Sequence, residues 1–444
     1  MRKSAEVRYK AAIRRREDMS EKPNIVFIFS DQQRADTITP EVTPNLLELA
    51  KEGANYTNVY TCQPVCGPAR ACLQTGMYAT KNGCIENGIP MRETDTHLAD
   101  LFNGAGYDTA YIGKWHLASK GLQYRKKGVP QNLRGGYKYW LAADLLEFSS
   151  TGSGGRLWDN DCNEGRFEGV RADKMTDFAL DYLRMEHDKP FFLFLSFLEP
   201  HHQNTSFRFE CPPGYDEQFK DYPIPVDLKG LKGNYNRNYA DYLGCCKSLD
   251  ENVKRIVDEL KAQGKYDNTL IIYTSDHGCH FMTRNMEYKR SCHEGSTHIP
   301  LIMAGGAFRD DGDKHRLISL IDLPPTMLAA AGIAVPSNFD GVPMQSGAER
   351  DCVFAQISES HNGRCVITKD YTYSISSGHN YSTDVYKDDY LYNRSKDKGE
   401  RHNLINCPSA AKEKEHLREL LVREMTKAGE NAPTIKRRLF KGNI

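Results

Sequence analysis

Four short apolar runs constrain this chain more than any other feature. They are IVFIF (25–29), TAYI (109–112), FFLFLSFL (191–198) and TLIIY (269–273). Each is rich in β-branched or aromatic residues and nearly continuous in hydrophobicity, the pattern of a strand buried on both faces of a mainly parallel sheet. Amphipathic segments at 43–53, 95–106, 171–186 and 238–264 separate them. Alternating strands and helices predict an α/β domain with a large, mainly parallel central sheet flanked by helices. Each run is followed by ionisable side chains: Asp31 and Gln32 after the first, Lys114 and His116, then His201, then Asp276 and His277. Ligands in open α/β sheets bind outside the carboxyl ends of the strands, so these residues are predicted to converge at one edge.

Length and charge narrow the partners. A chain of 444 residues exceeds what one core usually serves, which predicts two domains. The 59 basic and 59 acidic residues cancel, so no global field draws the protein to nucleic acid or an anionic membrane. No apolar run is long enough to span a bilayer. Residues 1–22 are charged throughout and lack the apolar core of a secretory signal, so they read as an extension and a cytoplasmic location is expected. The thirteen cysteines then read as reduced thiols. Cys62, Cys66, Cys72 and Cys84 form no paired C-x-x-C knuckles, which sets zinc aside.

From about residue 346 the chain changes to short alternating segments, VFAQIS, RCVITKD, YTYSISS and DDYLYN, followed by a helix at about 409–428. This predicts a smaller C-terminal domain of antiparallel sheet plus helix, dividing the chain into 1–22, 23–345 and 346–444. His361, Asn362 and Arg364 are placed in a loop there, as weak candidates for substrate contact. Residues 119–170 carry RGGYKYW, Trp158 and a TGSGG stretch, and read either as a sugar-stacking wall or as a surface loop with anchoring aromatics.

The stretch CGPARACLQTG (66–76) spaces a cysteine, a proline and an arginine as C-x-P-x-R. Alone it fits a buried small thiol, a turn proline and a surface charge equally well. Singly, Asp31 reads as a helix cap and His116 as a core histidine. Together, Ser-Asp-Gln and Ser-Asp-His after two strands supply hard oxygen donors and an imidazole, enough for a divalent cation.

These blocks, with AGYDTAYIGKWHLA, PFFLFLSFLEPHH, KRSCHEG, HIPLIM and LIDLPPTMLAAAGI, resemble the sulfatase family in its own order over most of residues 24–335. The resemblance implies an alkaline-phosphatase-like fold and a Cys66 oxidised to formylglycine by a maturation enzyme. It implies that Asp31, Gln32, Asp276, His277 and the modified Cys66 hold one divalent metal, calcium before magnesium or manganese. Arg70 and Lys114 would fix the nucleophile and the sulfate oxygens, and attack at sulfur would give a covalent sulfo-enzyme. His201 and Lys289 match positions at the bridging oxygen, as general acid and electrostatic partner. His116 matches the base that regenerates the aldehyde. Two departures stand out: Gln32 and His277 replace the second aspartate and the asparagine of many sulfatases, and Glu199 stands where some relatives have lysine. Glu199 reads as a substrate-selecting residue or as a solvated acid at the pocket rim.

The implied reaction is hydrolysis of a small sulfated substrate, a sugar or oligosaccharide. Two alternatives stay open: a phosphonate monoester or phosphodiester hydrolase of the same superfamily, against which the GKWH block argues, and an inactive sulfated-glycan-binding protein if Cys66 is unmodified.

Overall fold

The computed structural model describes residues 22–437 apart from 310, 311 and 382, so all of the 1–22 extension but Lys22 lies outside the described residues. The first strands are β1 (Asn24–Ser30), β2 (Gly53–Tyr60), β3 (Asp108–Lys114), β4 (Tyr139–Ala143), β5 (Ser150–Thr151), β6 (Gly154–Trp158) and β7 (Glu164–Glu168). β8 (Phe191–Ser196), β9 (Thr269–Ser275), β10 (Leu301–Ala304) and β11 (Asp313–Ser319) follow. Among the described residues they form one 11-stranded sheet, ordered β11-β2-β10-β9-β1-β8-β3-β4-β6-β5 with β7 on β6. Its centre, β9-β1-β8-β3-β4, is parallel throughout. The four apolar runs are β1, β3, β8 and β9, and every residue of β8 and β9 is buried.

Alternate residues of each strand serve opposite layers. Phe27, Phe29, Phe192 and Phe194 pack with the helices Cys66–Thr75, Leu98–Gly104 and Leu323–Ala330. Val26, Ile28, Leu193 and Leu195 pack with the helices Pro44–Glu52, Arg171–Arg184 and Tyr235–Ala262. Both faces being covered is why the strand sequences are continuous rather than alternating.

Residues 119–170 are not a sugar-stacking wall, and only parts of them, such as 120–123 and 160–166, are exposed surface. β4 pairs in parallel with β3 and extends the central sheet. Tyr137, Trp140 and Trp158 are buried in its two apolar layers, because a strand added inside a three-layer sandwich needs apolar side chains on both faces.

The second sheet comprises β12 (Val353–Glu359), β13 (His361–Ile367), β14 (Tyr371–Gly378), β15 (Val385–Asn393) and β16 (Thr434–Lys436). It is antiparallel except between β15 and β16. Helix Ala411–Lys427 packs on it through Leu417, Leu421 and Met425, and Cys72, Tyr78 and Ile321 of the large sheet's layer enter the same apolar cluster. The small sheet is thereby anchored to the helix that begins at Cys66.

His361, Asn362 and Arg364 are not in a loop. They open β13, where Glu359 and His361 pair across Ser360. Asn362 and Arg364 are buried, and Arg364 is held by Glu430 at 2.8 Å. Their polar groups are spent inside the small domain.

Candidate active site

The carboxyl ends of five parallel strands and one helix N-terminus build a single pocket. Asp31 and Gln32 follow β1, Lys114 ends β3, Glu147 follows β4, His201 follows β8, and Asp276 and His277 follow β9. Cys66 is the first residue of helix Cys66–Thr75, all ten residues of which are buried. That helix stops at Gly76, whose φ of 66° is the left-handed conformation a helix C-terminus favours for glycine. The pocket encloses about 400 Å³ and is lined by Cys66, His116, Glu147, His201 and Lys289, with Phe207 and Met286 at its mouth.

Around Cys66 the contacts are short. Lys289 Nζ donates to Cys66 Sγ at 2.6 Å and lies 3.3 Å from His201 Nε2. His277 Nε2 lies 3.2 Å and Asp31 Oδ1 3.5 Å from the same sulfur. Burial alone would raise this thiol, yet Lys114, Lys289 and His277 hold it well below the ordinary cysteine range.

Behind Cys66 lies a buried charge network. Asp31 Oδ2 accepts from Arg70 Nη2 at 3.0 Å and is paired with Lys114 Nζ at 2.8 Å. Arg70 also donates to Ser196 Oγ at 2.7 Å and to the Lys114 carbonyl at 2.9 Å, and its Nη2 is 3.5 Å from Asp276 Oδ2. Burial and the neighbouring thiolate oppose ionisation of Asp31, but Lys114, His201 and Arg70 hold its carboxyl far below the usual range. Asp276 is pushed up to about 6 by burial and by Asp31 beside it.

The donor set fits a divalent cation. Single ligand atoms of Asp31, Cys66, Asp276 and His277 all lie within 4.8 Å of one another. Gln32 Oε1 and Asp276 Oδ2 are buried without hydrogen-bond partners. Gln32 sits at a φ of 71°, an uncommon conformation for a side-chain-bearing residue, and its backbone N–H donates to Asp276 Oδ1 at 3.0 Å. Two unsatisfied acceptors and crowded carboxylates are what a hard cation relieves.

All ten sequence-predicted residues of the catalytic and metal sets surround this one pocket. Of the weak substrate candidates, Asn362 and Arg364 stand apart from it; His361 lines an adjoining cavity of about 420 Å³ that shares Met286, Glu287 and Arg290 with the first. Glu199 is not a solvated acid: it is 4% exposed and paired at 2.8 Å with Arg171, which opens the helix predicted over 171–186 and whose approach the sequence does not reveal. Sequence reasoning missed Glu147, whose carboxyl is 3.4 Å from Lys114 Nζ. Burial works against its charge, but Lys114, His116 and His201 keep the carboxyl below the usual glutamate range. It also missed Asn87, whose Oδ1 accepts from the Gly67 N–H at 2.9 Å and so secures the helix start beside Cys66.

Comparison with known proteins gives the family. The Sulfatase family profile matches residues 23–333, and the chain belongs to that family, within the alkaline-phosphatase-like superfamily. It is a sulfuric ester hydrolase. It is 29% identical to the uncharacterized sulfatase YidJ of Escherichia coli, over 87% of this chain and 83% of that one. It is 25% identical to an N-acetylglucosamine-6-O-sulfatase of Bacteroides thetaiotaomicron, over 96% and 90%. The crystal structure of the putative sulfatase yidJ from Bacteroides fragilis superposes with a TM-score of 0.81 at 25% identity, covering 92% of this chain and 96% of that one.

Proposed function

We propose that this sulfatase cleaves a carbohydrate O-sulfate, with formylglycine at position 66 and one divalent metal held by Asp31, Gln32, Asp276 and His277. The observation that carries this reading is the position of Cys66, first in a buried helix and within 3.5 Å of Lys289, His277 and Asp31. When present, the cation supplies charge against which a sulfate and an oxygen nucleophile are stabilised, and the oxidised Cys66 supplies that nucleophile as a hydrated aldehyde. Arg70 and Lys114 supply permanent positive charge behind the reacting centre, where developing negative charge is best met by fixed donors. His201, beside Lys289, gives a proton to the leaving alcohol oxygen. His116 takes the proton from the hydroxyl left at position 66, which frees sulfate. Calcium is the first choice of metal because carboxylate and amide oxygens dominate the set, with magnesium and manganese as the other candidates.

The substrate class is supported by the name of the Bacteroides thetaiotaomicron relative, a sugar 6-O-sulfatase. Lys114 and His116 favour a sulfuryl over a phosphonyl centre. Sulfate release from a panel of sulfated mono- and disaccharides tests the proposal, with an aryl sulfate and a phosphonate monoester of the same leaving group alongside. Faster phosphonate cleavage would overturn it. So would a Cys66 peptide that, after coexpression with a formylglycine-generating enzyme, carries only thiol in a fully active sample.

A further inference from the structure

A histidine and a carboxylate approach without bonding in the pocket wall. His116 Nδ1 is buried without a hydrogen-bond partner and lies 3.9 Å from Glu147 Oε1, while Glu147 Oε2, also without a hydrogen bond, lies on the Lys114 side. A buried N–H or carboxylate oxygen left unpaired is costly, so a small closure that joins His116 Nδ1 to the Glu147 carboxylate is favoured. His116 lines the pocket together with Cys66, and with Nδ1 buried on the Glu147 side the ring presents Nε2 to the cavity.

The backbone is built to hold this pair. Trp115 N–H donates to the Ala143 carbonyl at 2.9 Å and His116 N–H to the Asp144 carbonyl at 2.7 Å. Asp144 Oδ1 accepts from the N–H groups of Leu117 and Ala118, each at 3.0 Å, and its other oxygen bonds the Ser119 hydroxyl. The segment after β4 is thus a template for the loop after β3. That lacing sustains a φ of 63° at His116, a strained conformation that persists only where the surroundings over-determine it.

We propose that Glu147 is a positioning residue: its carboxylate accepts Nδ1–H of His116, fixing the tautomer whose Nε2 lone pair faces position 66. Its Oε2, 3.4 Å from Lys114 Nζ, at the same time holds that ammonium between Glu147 and Asp31. In neutral imidazole one nitrogen donates and the other accepts, so the partner of Nδ1 decides whether Nε2 can take a proton. The proposal rests on the reading of His116 as the base in sulfate release, but its structural half stands on tautomer alone.

Two measurements test it. Long-range ¹H–¹⁵N correlation on histidine-labelled Cys66→Ala protein, in which no thiolate competes for an Nε2 proton, reads the tautomer without any turnover, with the His116 signals identified by their loss in Cys66→Ala/His116→Ala. The Cys66→Ala parent is expected to carry its proton on Nδ1, and adding Glu147→Ala or the bulkier Glu147→Leu to lose that preference. An unchanged tautomer in whichever of the two variants folds overturns the proposal. On matured enzyme with an aryl sulfate, the same two Glu147 substitutions are expected to lower kcat roughly 10–100-fold, the range for outer groups that orient a functional imidazole, with KM falling in parallel so that kcat/KM stays within about threefold. They should show a burst of one equivalent of phenol before slow turnover, and Glu147→Ala/His116→Ala should be no slower than His116→Ala. Fully additive losses, which a merely structural defect gives, overturn it. If the wild type releases no sulfate from any ester, the proposed function fails, and the tautomer measurement still decides Glu147.

Discussion

Arg70 offers the most direct test of the buried charge network. Its guanidinium, 2% exposed, bonds Asp31, Ser196 and the Lys114 carbonyl and lies 3.5 Å from Asp276. Arg70→Met keeps a long unbranched side chain but removes the charge. Asp31 then retains Lys114, while Asp276, already pushed up to about 6, loses its nearest cation. Breaking a buried pair by removing one partner costs about 3–5 kcal/mol, because the other charge stays buried. With an unfolding entropy of ~2.1 cal/mol/K per residue, a domain of this size loses about 1.5 °C per kcal/mol, so apparent melting in EDTA should fall by roughly 4–8 °C.

Calcium distinguishes charge from packing in the same experiment. Uncompensated carboxylates bind a cation more tightly, and a ligand of the folded state raises stability in proportion to the logarithm of its excess over Kd. The calcium-induced rise in melting temperature should therefore be larger in Arg70→Met than in wild type. Turnover should fall about 10²–10³-fold even at saturating calcium, the usual cost of one preorganised donor at a developing charge. Melting within about 2 °C of wild type in EDTA, or equal calcium increments in both proteins, would refute the idea that Arg70 and the metal serve the same two carboxylates.

Three further outcomes follow from the geometry. Gln32→Ala removes an orphaned oxygen, so the calcium concentration giving half-maximal stabilisation should rise about tenfold, or 1.4 kcal/mol, with little change in EDTA; an unchanged calcium midpoint would exclude Gln32 as a ligand. Gly76→Ala places a Cβ 2.2 Å from the Phe339 ring at a φ of 66°, so thermal melts should show a loss of about 1–3 kcal/mol. Glu400 is buried, and burial together with Glu294 pushes its carboxyl up to about 8. Since this exceeds the unfolded value, its stabilising proton is fully held below about pH 4.5 and is lost as pH rises to about 8. Glu400→Gln mimics the protonated acid and should match wild type near pH 5 yet exceed it at pH 9 in urea midpoints, whereas parallel pH profiles would contradict the assignment.

The central sheet is legible in the sequence because burial on both faces leaves no charged residue inside β8 or β9, so the chain itself advertises where each strand stops. Asp31, Lys114, His201, Asp276 and His277 are legible for the same reason: they are ionisable groups within a few residues of the end of an apolar run. Glu147 carries no such mark. It follows β4 in a segment without a family block, and its burial depends on Lys114 and His116, which approach only once β4 lies beside β3. Glu199 and Arg364 mislead in the same way, since each is buried by a partner distant in sequence, Arg171 and Glu430. His361 and its neighbours look like a turn because Asn362-Gly363 is a turn-forming pair. The reversal instead falls at Ser360, whose φ of 66° closes the β12–β13 hairpin.

Charge neutrality acquires a local meaning from Glu147. The chain as a whole has no net charge, so a sulfated substrate is not steered from a distance. At the centre, Arg70, Lys114 and Lys289 stand against Asp31, Asp276 and Glu147, three cations against three carboxylates. With Gln32 and His277 among the proposed metal ligands, that side carries fewer formal negative charges than an all-carboxylate set would, and Glu147 adds one on the Lys114 side. A bound divalent cation therefore tips a balanced pocket positive instead of merely neutralising an acidic one. In such a site the hold on an anion depends on cation occupancy, and the lysines act chiefly by direction, each kept in place by a carboxylate or by Cys66.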